Sequence, residues 1–570
     1  MINVEQAVRS KYPTVAQWPS FAAVPFFSLL QRLFFQDRIN RFLSEHRDLQ
    51  GVEFIDAVLD ELGVDYAASA KSRANLPQTG RVVIIANHPM GGLDALTLIK
   101  LVSEVRSDIR IVANDMLMQF EPLRPLLLPV DNLKGRPSRM ALLAIHEALA
   151  HEEAVILFPA GEVSRIRPTG IKDGPWQGGF LKIAARADAP IVPIRIAAKN
   201  SSLFYAVSTV YKPLSALLLP SELFRHRGKT IRCYVGAPIP KTSYQLNAIS
   251  HERKVKLMKK HLFRVGRKGP LIFATETSIA HPENRQSLKQ ALKQAQLLGQ
   301  TSDGKQIYLY DYERNSPVLR EIGRLRELTF RKVGEGTGTR RDTDQHDREY
   351  RHLVLWDDEH LEIVGSYRIG ETWSLLAEGD RSHLYTHSLF ELLPAFTPYL
   401  HDSIELVRSF VQPRFWGSRA LDYLWQGIGA YLRAHPQVRT LFGPASISGA
   451  YPQAAKEMLV WYYSHYHGPA EPLAQARSPF ILTQKARSEL AEVFSGQDAQ
   501  ADLQSLKTHL RLMGVAIPTL YKQYTDVFEP GGLVYCDFGV DAAFKDCVDG
   551  LIVAQVAAIK PSKRQRYIGA

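Results

Sequence analysis

Short apolar runs and stretches of helical spacing alternate along the first half of the chain. The apolar runs predict β-strands at residues 82–86, 110–113, 154–158, 191–196 and 231–235. Between them, apolar residues recur with the period of a helix, as at residues 138–151 and 179–187. A regular exchange of strand and helix is typical of a sheet whose strands run mostly in parallel. We therefore predict an α/β domain with a largely parallel sheet over residues 65–268, preceded by helices in residues 1–64.

The pattern changes near the middle of the chain. Residues 269–304 are polar and contain the dipeptides GP and HP, which predicts a linker between two domains. Residues 352–357 and 362–370 are apolar runs separated by charged turn residues, and they predict an antiparallel hairpin. A chain of 570 residues is also too long for one hydrophobic core. We predict that residues 305–570 form a second α/β domain.

Composition places the chain among ordinary globular proteins. Apolar residues make up 45% and charged residues 22% of the sequence, which argues against a disordered chain. The three cysteines have no metal-ligand spacing, so we predict no metal site and no disulfide in a reducing compartment. No stretch reaches the ~18 uncharged apolar residues that a membrane span needs, and the N-terminus lacks the apolar core of a signal peptide. These features predict a cytoplasmic protein.

The net charge is +12, and many of the basic residues are clustered in a few stretches of the chain. Eight basic residues interleave with apolar ones in residues 253–268, a pattern that suits an anionic lipid surface or an acidic protein. Nucleic acid is not expected, because no nucleic-acid-binding module accompanies the patch. Residues 25–43 and 211–229 combine apolar and basic positions and predict helices that lie in a membrane interface. The alternatives are a solvated helix face for residues 253–268 and core helices for residues 25–43 and 211–229.

The turn after the first predicted strand carries candidate chemistry. His88 follows residues 82–86, and Asp94 lies six positions further on, with Gly91 and Gly92 between them. Glycines let the backbone turn tightly, so that the carboxylate can return to the imidazole. A histidine held by an aspartate has a fixed tautomer and can take a proton from a hydroxyl group. The alternative is that both residues only cap the following helix.

Further motifs in the first half resemble those of the glycerolipid O-acyltransferase family. The family's turn matches Phe158, Pro159 and Gly161, with Glu162 and Arg165 after it, and Val192-Pro193 matches its later strand. The resemblance covers about residues 65–240 and implies that His88 deprotonates the acceptor hydroxyl, that Asp94 orients the imidazole, and that the turn residues contact substrate.

The sequence departs from the family at three places. Five residues instead of four separate the His-Asp pair, and Ala160 replaces the glutamate of the turn. Asp131 and Asn132 stand where the family presents an arginine to the acceptor's phosphate. An acidic residue does not suit a phosphate. We therefore expect an acceptor without a phosphomonoester.

The second half resembles the GNAT superfamily, in the branch shared by acyl-homoserine-lactone synthases and ornithine-lipid N-acyltransferases. The matching positions, over about residues 305–480, are Arg326, Phe330, Asp344, Asp347, Arg368, Glu405 and Arg408. The resemblance implies that Glu405 is the base for an amine, directly or through a water, and that the arginines and aspartates bind the amino acid or one another. A turn with Arg414 and Gly417 precedes a helix and would bind the donor's phosphate. Arg419 replaces the usual second glycine, which favours a carrier protein over coenzyme A as donor. Purely structural salt bridges would explain the same charged residues.

The order of the two halves resembles bacterial bifunctional ornithine-lipid synthases, also labelled hemolysin-like. That resemblance implies N-acylation of an amino acid, ornithine first among them, by a 3-hydroxyacyl group from acyl carrier protein or coenzyme A, followed by O-acylation of the 3-hydroxyl. It implies no tightly bound cofactor, an acidic carrier protein and an anionic membrane surface as partners, and a position at the inner face of the cell membrane. Two alternatives remain: a phospholipid-remodelling O-acyltransferase with a non-catalytic second half, and a membrane-binding protein without activity.

Overall fold

The computed structural model describes residues 3–11, 20–114, 117–118, 120–130, 138–167, 170–210, 219–245 and 248–569. The chain divides into two compact units, Met1–Ser278 and Ile279–Ala570. The point of division falls inside the predicted linker. Among the described residues, no helix is both long and apolar enough to cross a membrane.

The first unit is built on a seven-stranded sheet with the order β1-β9-β8-β2-β5-β3-β4. Its strands are β1 (Asp65–Ala67), β2 (Val82–Ala86), β3 (Ile109–Asn114), β4 (Leu127–Val130), β5 (Ala154–Leu157), β8 (Ile191–Ala197) and β9 (Thr230–Val235), while β6 (Arg165–Arg167) and β7 (Gly170–Lys172) form a separate hairpin. Only the β8–β9 pair is antiparallel. The predicted α/β domain with a largely parallel sheet is confirmed.

The central strand β2 explains why this sheet is covered on both faces. Val82 and Ile84 enter one hydrophobic cluster, and Val83 and Ile85 enter another, because successive side chains of a strand point to opposite faces. The helices of the first unit are α1 (Val4–Lys11), α2 (Ser20–Leu33), α3 (Gln36–Glu45), α4 (Gly51–Leu62), α5 (Ala70–Arg73), α6 (Gly92–Ser103), α7 (Arg139–Ala150), α8 (Gly179–Arg186), α9 (Ser202–Val210), α10 (Leu219–Arg225), α11 (Lys241–Tyr244) and α12 (His251–Arg264). A strand buried on both faces reads as a continuous apolar run, which is why the sequence located it.

The second unit is built on an eight-stranded sheet with the order β10-β11-β12-β13-β15-β16-β19-β18. Its strands are β10 (Gln296–Gln300), β11 (Gln306–Tyr310), β12 (Arg351–Asp357), β13 (Glu362–Glu371), β15 (Ser403–Val411), β16 (Thr440–Ile447), β18 (Leu533–Asp541) and β19 (Cys547–Gln555), and β14 (Phe390–Leu392) pairs separately with β17 (Ala474–Ala476). Every neighbouring pair is antiparallel except β15–β16. The predicted hairpin is confirmed as β12–β13.

Helices pack on both faces of this second sheet. They are α13 (Arg285–Leu292), α14 (Pro317–Lys332), α15 (Thr372–Leu375), α16 (Tyr385–Leu389), α17 (Thr397–Leu400), α18 (Ala420–Ala434), α19 (Gln453–His467), α20 (Gln484–Val493), α21 (Ala499–Leu512), α22 (Thr519–Val527) and α23 (Pro561–Tyr567). Helix α13 and strand β10 lie in the segment that we predicted to be a linker, so the sheet begins earlier than residue 305. The hydrophobic pattern does not predict β10, because most of its residues are half-buried or exposed and give no clear strand signal.

Candidate active sites

The turn between β2 and α6 brings His88 and Asp94 together. The Nδ1 atom of His88 lies 3.0 Å from Oδ2 of Asp94. The same oxygen accepts hydrogen bonds from the backbone N–H groups of Met90 (2.8 Å) and Gly91 (3.0 Å). Gly91 has a φ of 91°, which a residue with a side chain rarely adopts and which lets the chain return toward the ring. Asp94 therefore both caps α6 and lies against His88.

The burial of this pair differs between its two members. Asp94 has no exposed surface, whereas 18% of the His88 side chain is exposed. Burial raises the pKa of Asp94, against the opposing effects of His88 and of the two backbone N–H groups. The Nε2 atom of His88 has no hydrogen-bond partner among the described residues. This nitrogen is available to take a proton from a hydroxyl group.

The predicted turn after β5 lies against the imidazole. The ring of Phe158 stacks on that of His88 with centroids 4.2 Å apart. Gly161 has a φ of 62°, and the carbonyl of Pro159 accepts a hydrogen bond from the backbone of Gln177. Stacking fixes the plane of the imidazole from the side that Asp94 does not contact. Phe158 therefore lies against His88. The predicted contacts of Phe158, Pro159 and Gly161 with substrate stay predictions.

Glu162 and Arg165 are also near this turn but interact with protein groups. Their side chains form an ion pair at 3.4 Å, and Arg165 also donates a hydrogen bond to Ser208 on α9. Their predicted contact with substrate stays a prediction. Asp131 and Asn132, on which the expectation of a phosphate-free acceptor depended, lie outside the described residues.

Asp173 is a site residue that the sequence analysis missed. Its buried carboxylate accepts hydrogen bonds from the backbone N–H of His88 (3.3 Å), from the hydroxyl of Ser164 and from Nε1 of Trp176 (2.9 Å). In addition, the backbone N–H of Ser164 donates to the carbonyl of His88 at 2.7 Å. Asp173 thus connects the histidine turn, the turn after β5 and its own loop. Only a tertiary contact reveals this role, because the Asp-Gly-Pro sequence reads as an ordinary turn.

Lys259 supports Asp173 from helix α12. Its Nζ donates hydrogen bonds to the backbone carbonyls of Asp173 (2.8 Å) and Gly174 (2.6 Å). We had included Lys259 among the basic residues that face a partner, and this interpretation is corrected. Of the seven other bases of the segment, Lys254 is half-buried and six are exposed: Arg253, Lys256, Lys260, Arg264, Arg267 and Lys268.

For the O-acyl transfer that the sequence resemblance implies at this site, we expect Asp173→Asn to lower the rate by about 10- to 100-fold, because small displacements of a catalytic group cost that much. The amide nitrogen of the new asparagine would face N–H and O–H groups whose hydrogen bonds the carboxylate of Asp173 accepts. Steady-state O-acylation rates measure the effect, and N-acylation by the same chain is the internal reference. The matched control is Asp188→Asn, whose side chain is 73% exposed and pairs with Lys241. Equal O-acylation by both variants would contradict the positioning role.

In the second unit, a buried cluster joins the predicted arginines and aspartates. Arg326 contacts Asp347 at 2.7 Å, and Arg368 contacts Asp344 at 2.6 Å and Asp347 at 3.3 Å. Arg408 lies 3.5 Å from Asp344. Burial alone would raise the pKa of Asp347, but Arg326 and Arg368 outweigh it and hold that pKa well below its ordinary value. The sequence predicted the members of this cluster, and the structure pairs them with one another.

Glu405 lies beside this cluster with no exposed surface. Its carboxylate accepts hydrogen bonds from the hydroxyl of Tyr350, the backbone N–H of Tyr385 (3.1 Å), and the backbone N–H (2.6 Å) and hydroxyl of Thr386. Four donors occupy the lone pairs that a base needs free. This arrangement argues against Glu405 as a base that contacts the amine. It holds the start of α16 against β15 instead.

Three further predicted residues occupy other surroundings. Phe330 is buried and packs edge-on against Phe544 at 5.7 Å, as a core residue. Arg414 pairs with Glu362 at 2.7 Å. Gly417 has a φ of 77°, so the turn before α18 forms as predicted. Binding of a donor phosphate at this turn stays a prediction.

Strands β15 and β16 diverge next to the arginine cluster. They pair only from Ser403–Thr440 to Glu405–Phe442, although each strand continues for several residues. Arg408 lies on the diverging part with a φ of 54°, an uncommon conformation for a residue with a side chain. Diverging strands leave backbone groups that can bind an extended chain containing amides, such as the arm of an acyl thioester. An apolar cavity of about 30 Å³ borders both strands, lined by Leu406 and Gly443 together with Trp425 of α18 and Tyr524 of α22, and an acyl chain would need it to widen.

Two groups of acidic residues have the spacing of metal ligands. Asp357, His360 and Glu362 form one, and Asp541, Cys547 and Asp549 form the other. In the first group, His360 contacts Asp357 at 3.2 Å and Glu362 pairs with Arg414. In the second, Asp549 accepts a hydrogen bond from Ser446 at 2.6 Å. Protein groups therefore account for both arrangements, and we assign neither to a metal.

Comparison with known proteins assigns each unit to a family. A family model described as acyltransferase matches residues 7–267, and one described as acetyltransferase (GNAT) domain matches residues 325–426. A lyso-glycine lipid O-acyltransferase of Bacteroides thetaiotaomicron is 32% identical over 248 residues, which are 42% of this chain and 89% of that protein. A glycine Nα-acyltransferase of the same organism is 32% identical over 305 residues, which are 51% of this chain and 89% of that protein.

An L-ornithine Nα-acyltransferase of Rhodobacter capsulatus is similar as well. It is 30% identical over 216 residues, which are 35% of this chain and 79% of that protein. The matches to the two families agree with the two α/β units and with the His-Asp pair of the first. The chain therefore belongs to the acyltransferases, its first unit to the family of the O-acyltransferase relative and its second to the GNAT family of the N-acyltransferase relatives, and it is an enzyme that transfers acyl groups.

Proposed function

We propose that this chain carries out both acylations in the synthesis of a phosphate-free aminolipid. The second unit joins a 3-hydroxyacyl group to the α-amine of an amino acid, and the first unit then esterifies the 3-hydroxyl with a second acyl group. The observation that carries the proposal is that one chain contains counterparts of a lyso-glycine lipid O-acyltransferase and a glycine Nα-acyltransferase from a single organism. The product of the N-acylation has the hydroxyl group that the O-acylation consumes.

The geometry of the first unit supports the O-acylation. His88 has one nitrogen held at 3.0 Å from Asp94 and the other without a partner among the described residues. In this arrangement Nε2 takes the proton of the 3-hydroxyl group while the oxygen of that group attacks the thioester carbonyl. The imidazolium then protonates the leaving thiolate. Asp94, although buried, stabilises the positive ring. Phe158 and Asp173 keep the ring and its backbone in place.

The second unit supports the N-acylation through its strand arrangement. The opening between β15 and β16 suits the amide-bearing arm of a carrier-protein or coenzyme A thioester. The buried arginines beside it suit the carboxylate of an amino acid, because a guanidinium binds a carboxylate through two parallel hydrogen bonds. The sequence resemblance indicates ornithine as this amino acid, whereas two N-acyltransferase and two O-acyltransferase relatives carry glycine in their names. A direct comparison of the two substrates decides between them.

Surface features of the first unit suit its proposed partners. Helix α12 presents exposed bases to an acidic carrier protein, which steers encounter between opposite charges. On α2, Val24 is 66% and Leu29 is 58% exposed, as expected for a helix that lies on a lipid surface. In the second unit, the sequence predicts a further basic contact at the C-terminal residues 560–566. That contact is less available, because Lys563 pairs with Asp526 and Arg566 with Asp422. Residues 211–218 of the other predicted interfacial stretch lie outside the described residues.

Reconstitution tests the proposal. Purified protein is incubated with 3-hydroxyacyl and acyl thioesters of carrier protein or coenzyme A, with glycine or ornithine, and with or without anionic vesicles. Mass spectrometry should detect the N-acyl amino acid first and the diacylated lipid later, with a higher rate from carrier protein and on vesicles. Formation of phosphatidic acid or phospholipid from lysophospholipids, with no acylated amino acid, would support the remodelling alternative and refute the proposal.

A further inference from the structure

Glu335 is a buried acid that neither the sequence motifs nor the mechanism above uses. It follows α14 between Gly334 and Gly336, both of which have a positive φ. Only 8% of its surface is exposed, and its carboxylate makes no hydrogen bond or ion pair with any residue that the structure describes. Burying a carboxylate without a hydrogen-bond or ionic partner costs free energy. We therefore expect that a ligand pairs with Glu335.

The turn that carries Glu335 is fixed in position. The hydroxyl of Ser448 donates a hydrogen bond to the carbonyl of Val333, and a Cβ atom added to Gly334 would meet that of Ala450 at 2.7 Å. On the other side, the carboxylate of Glu327 accepts hydrogen bonds from the backbone N–H groups of Thr337 (3.1 Å) and Gly338 (2.9 Å). From the sequence alone, the glycine-threonine loop at residues 334–347 predicts a mobile substrate-entry loop or a plain linker. These contacts hold it against the segment that follows β16.

The charges that act on Glu335 come from both sides of the β15–β16 opening. Arg408 lies on the diverging part of β15, while Asp549 lies on β19 and Asp541 at the end of β18. β19 pairs with β16, with Asp549 opposite Ser446. Glu335 therefore lies at the mouth of the opening, where we placed the thioester arm. Cys547 and Tyr451 are the other titratable groups that sense its charge.

The balance of charge at this mouth is negative. The charges of Asp541 and Asp549 both act on Glu335, and Arg408, which opposes them, is shared with Asp342 at 3.7 Å and Asp344 at 3.5 Å. The Nε atom of Arg408 makes no hydrogen bond among the described residues, but it faces Oδ2 of Asp342 at 3.7 Å. Surroundings with this excess of carboxyl groups attract a cation. The ammonium group of an amino acid is such a cation.

We infer that Glu335 is the catalytic base of the second unit, which binds the substrate's ammonium group at the mouth of the β15–β16 opening and takes its proton. The inference rests on the proposed N-acylation. The freed amine attacks the thioester carbonyl, a C–N bond forms and the C–S bond breaks. Of the two protons that the ammonium loses, one passes through Glu335 to solvent and the other goes to the thiolate that leaves.

The protonation of Glu335 agrees with this role. The pKa of Glu335 is raised to about 8, because burial and the charges of Asp549 and Asp541 together outweigh the opposing effect of Arg408. A base is most effective when its pKa lies near the working pH. A bound ammonium group lowers the pKa of Glu335 and so favours its ionised form. Substrate binding therefore puts the base in the protonation state that it needs. Asp549, with a pKa raised to about 6 by burial, remains mostly ionised at neutral pH.

The test measures N-acylation by the full chain from pH 6.5 to 10, with a carrier-protein thioester and the amino acid that the wild type accepts. We expect Glu335→Gln to lower kcat about 100-fold or more at pH 7 and to leave the KM for the donor unchanged. The defect should shrink as pH rises, because the amine then loses its proton to solvent. Asp549→Asn should move the acid limb of the wild-type profile to lower pH, since it removes a charge that raises the pKa of Glu335.

Controls separate this inference from misfolding and from the proposed function. Glu359→Gln, at an exposed glutamate of the same unit, should keep the wild-type rate and profile. Thermal unfolding should show Glu335→Gln folded, because an amide is easier to bury than a carboxylate. An active wild type with an equally active Glu335→Gln, or with a loss that is constant over pH, overturns the role of Glu335 alone. A wild type without N-acylation overturns the proposed function and this inference with it.

Discussion

Replacing His88 by alanine should stop the second acylation and leave the first intact. A general base contributes about 10²- to 10⁴-fold to a rate, and the partner-free Nε2 of His88 is the group that can supply this effect in the first unit. Cells that express His88→Ala should therefore accumulate the N-acyl amino acid, and the diacylated lipid should fall at least ~100-fold. Mass spectrometry of lipid extracts from a bacterium without aminolipids of its own measures both species at once.

The comparison needs a histidine of the same unit that lies outside the site. His151→Ala is suitable, because His151 is exposed at the end of α7. It should give the wild-type ratio of the two lipids. Wild-type amounts of diacylated lipid from His88→Ala would exclude His88 as the base. Loss of both lipids from that variant would show that the two acylations are not separable in the way we propose.

The sequence located the histidine site because its chemistry is local. A fully buried strand, two glycines and a helix-capping acid all lie within residues 82–94, and each has its own signature. Asp173 joins the same site from 85 positions away along the chain, through a backbone contact with His88. Neither the hydrophobic periodicity nor a turn motif of the sequence indicates such a contact. Tertiary structure is needed to find residues that hold a catalytic turn from outside it.

In the second unit, the sequence predicted which charged residues belong together but not their roles. Arg326, Arg368, Asp344 and Asp347 form the expected cluster. Glu405 was selected as base by resemblance, although a pattern cannot show that four donors already occupy its carboxylate. Glu335 was overlooked because a glutamate between glycines reads as a linker. Its burial and its missing partner exist only in the folded chain.

The buried cluster of the second unit should be the most sensitive point for its stability. Asp347 contacts both Arg326 and Arg368, and these arginines are 1% and 0% exposed. Asp347→Ala leaves their positive charge without its shared partner, and breaking a buried ion pair from one side costs about 3–5 kcal/mol. We expect a loss of this size in the free energy of unfolding of the second unit, measured by denaturant titration, together with loss of N-acylation.

The same contacts set the pH dependence of stability. Although burial opposes ionisation, Arg326 and Arg368 hold the pKa of Asp347 well below its ordinary value of about 4. A lowered pKa in the folded state gives stability that is fully present above the ordinary pKa and is lost as pH falls through the folded one. Stability of the wild type should therefore fall below pH 4, and Asp347→Ala should flatten this fall. Asp311→Ala is the control, because Asp311 is 70% exposed and its pair with Arg351 contributes at most about 1 kcal/mol. If Asp347→Ala and Asp311→Ala were equally stable, the arginine cluster would not depend on Asp347 for its charge balance.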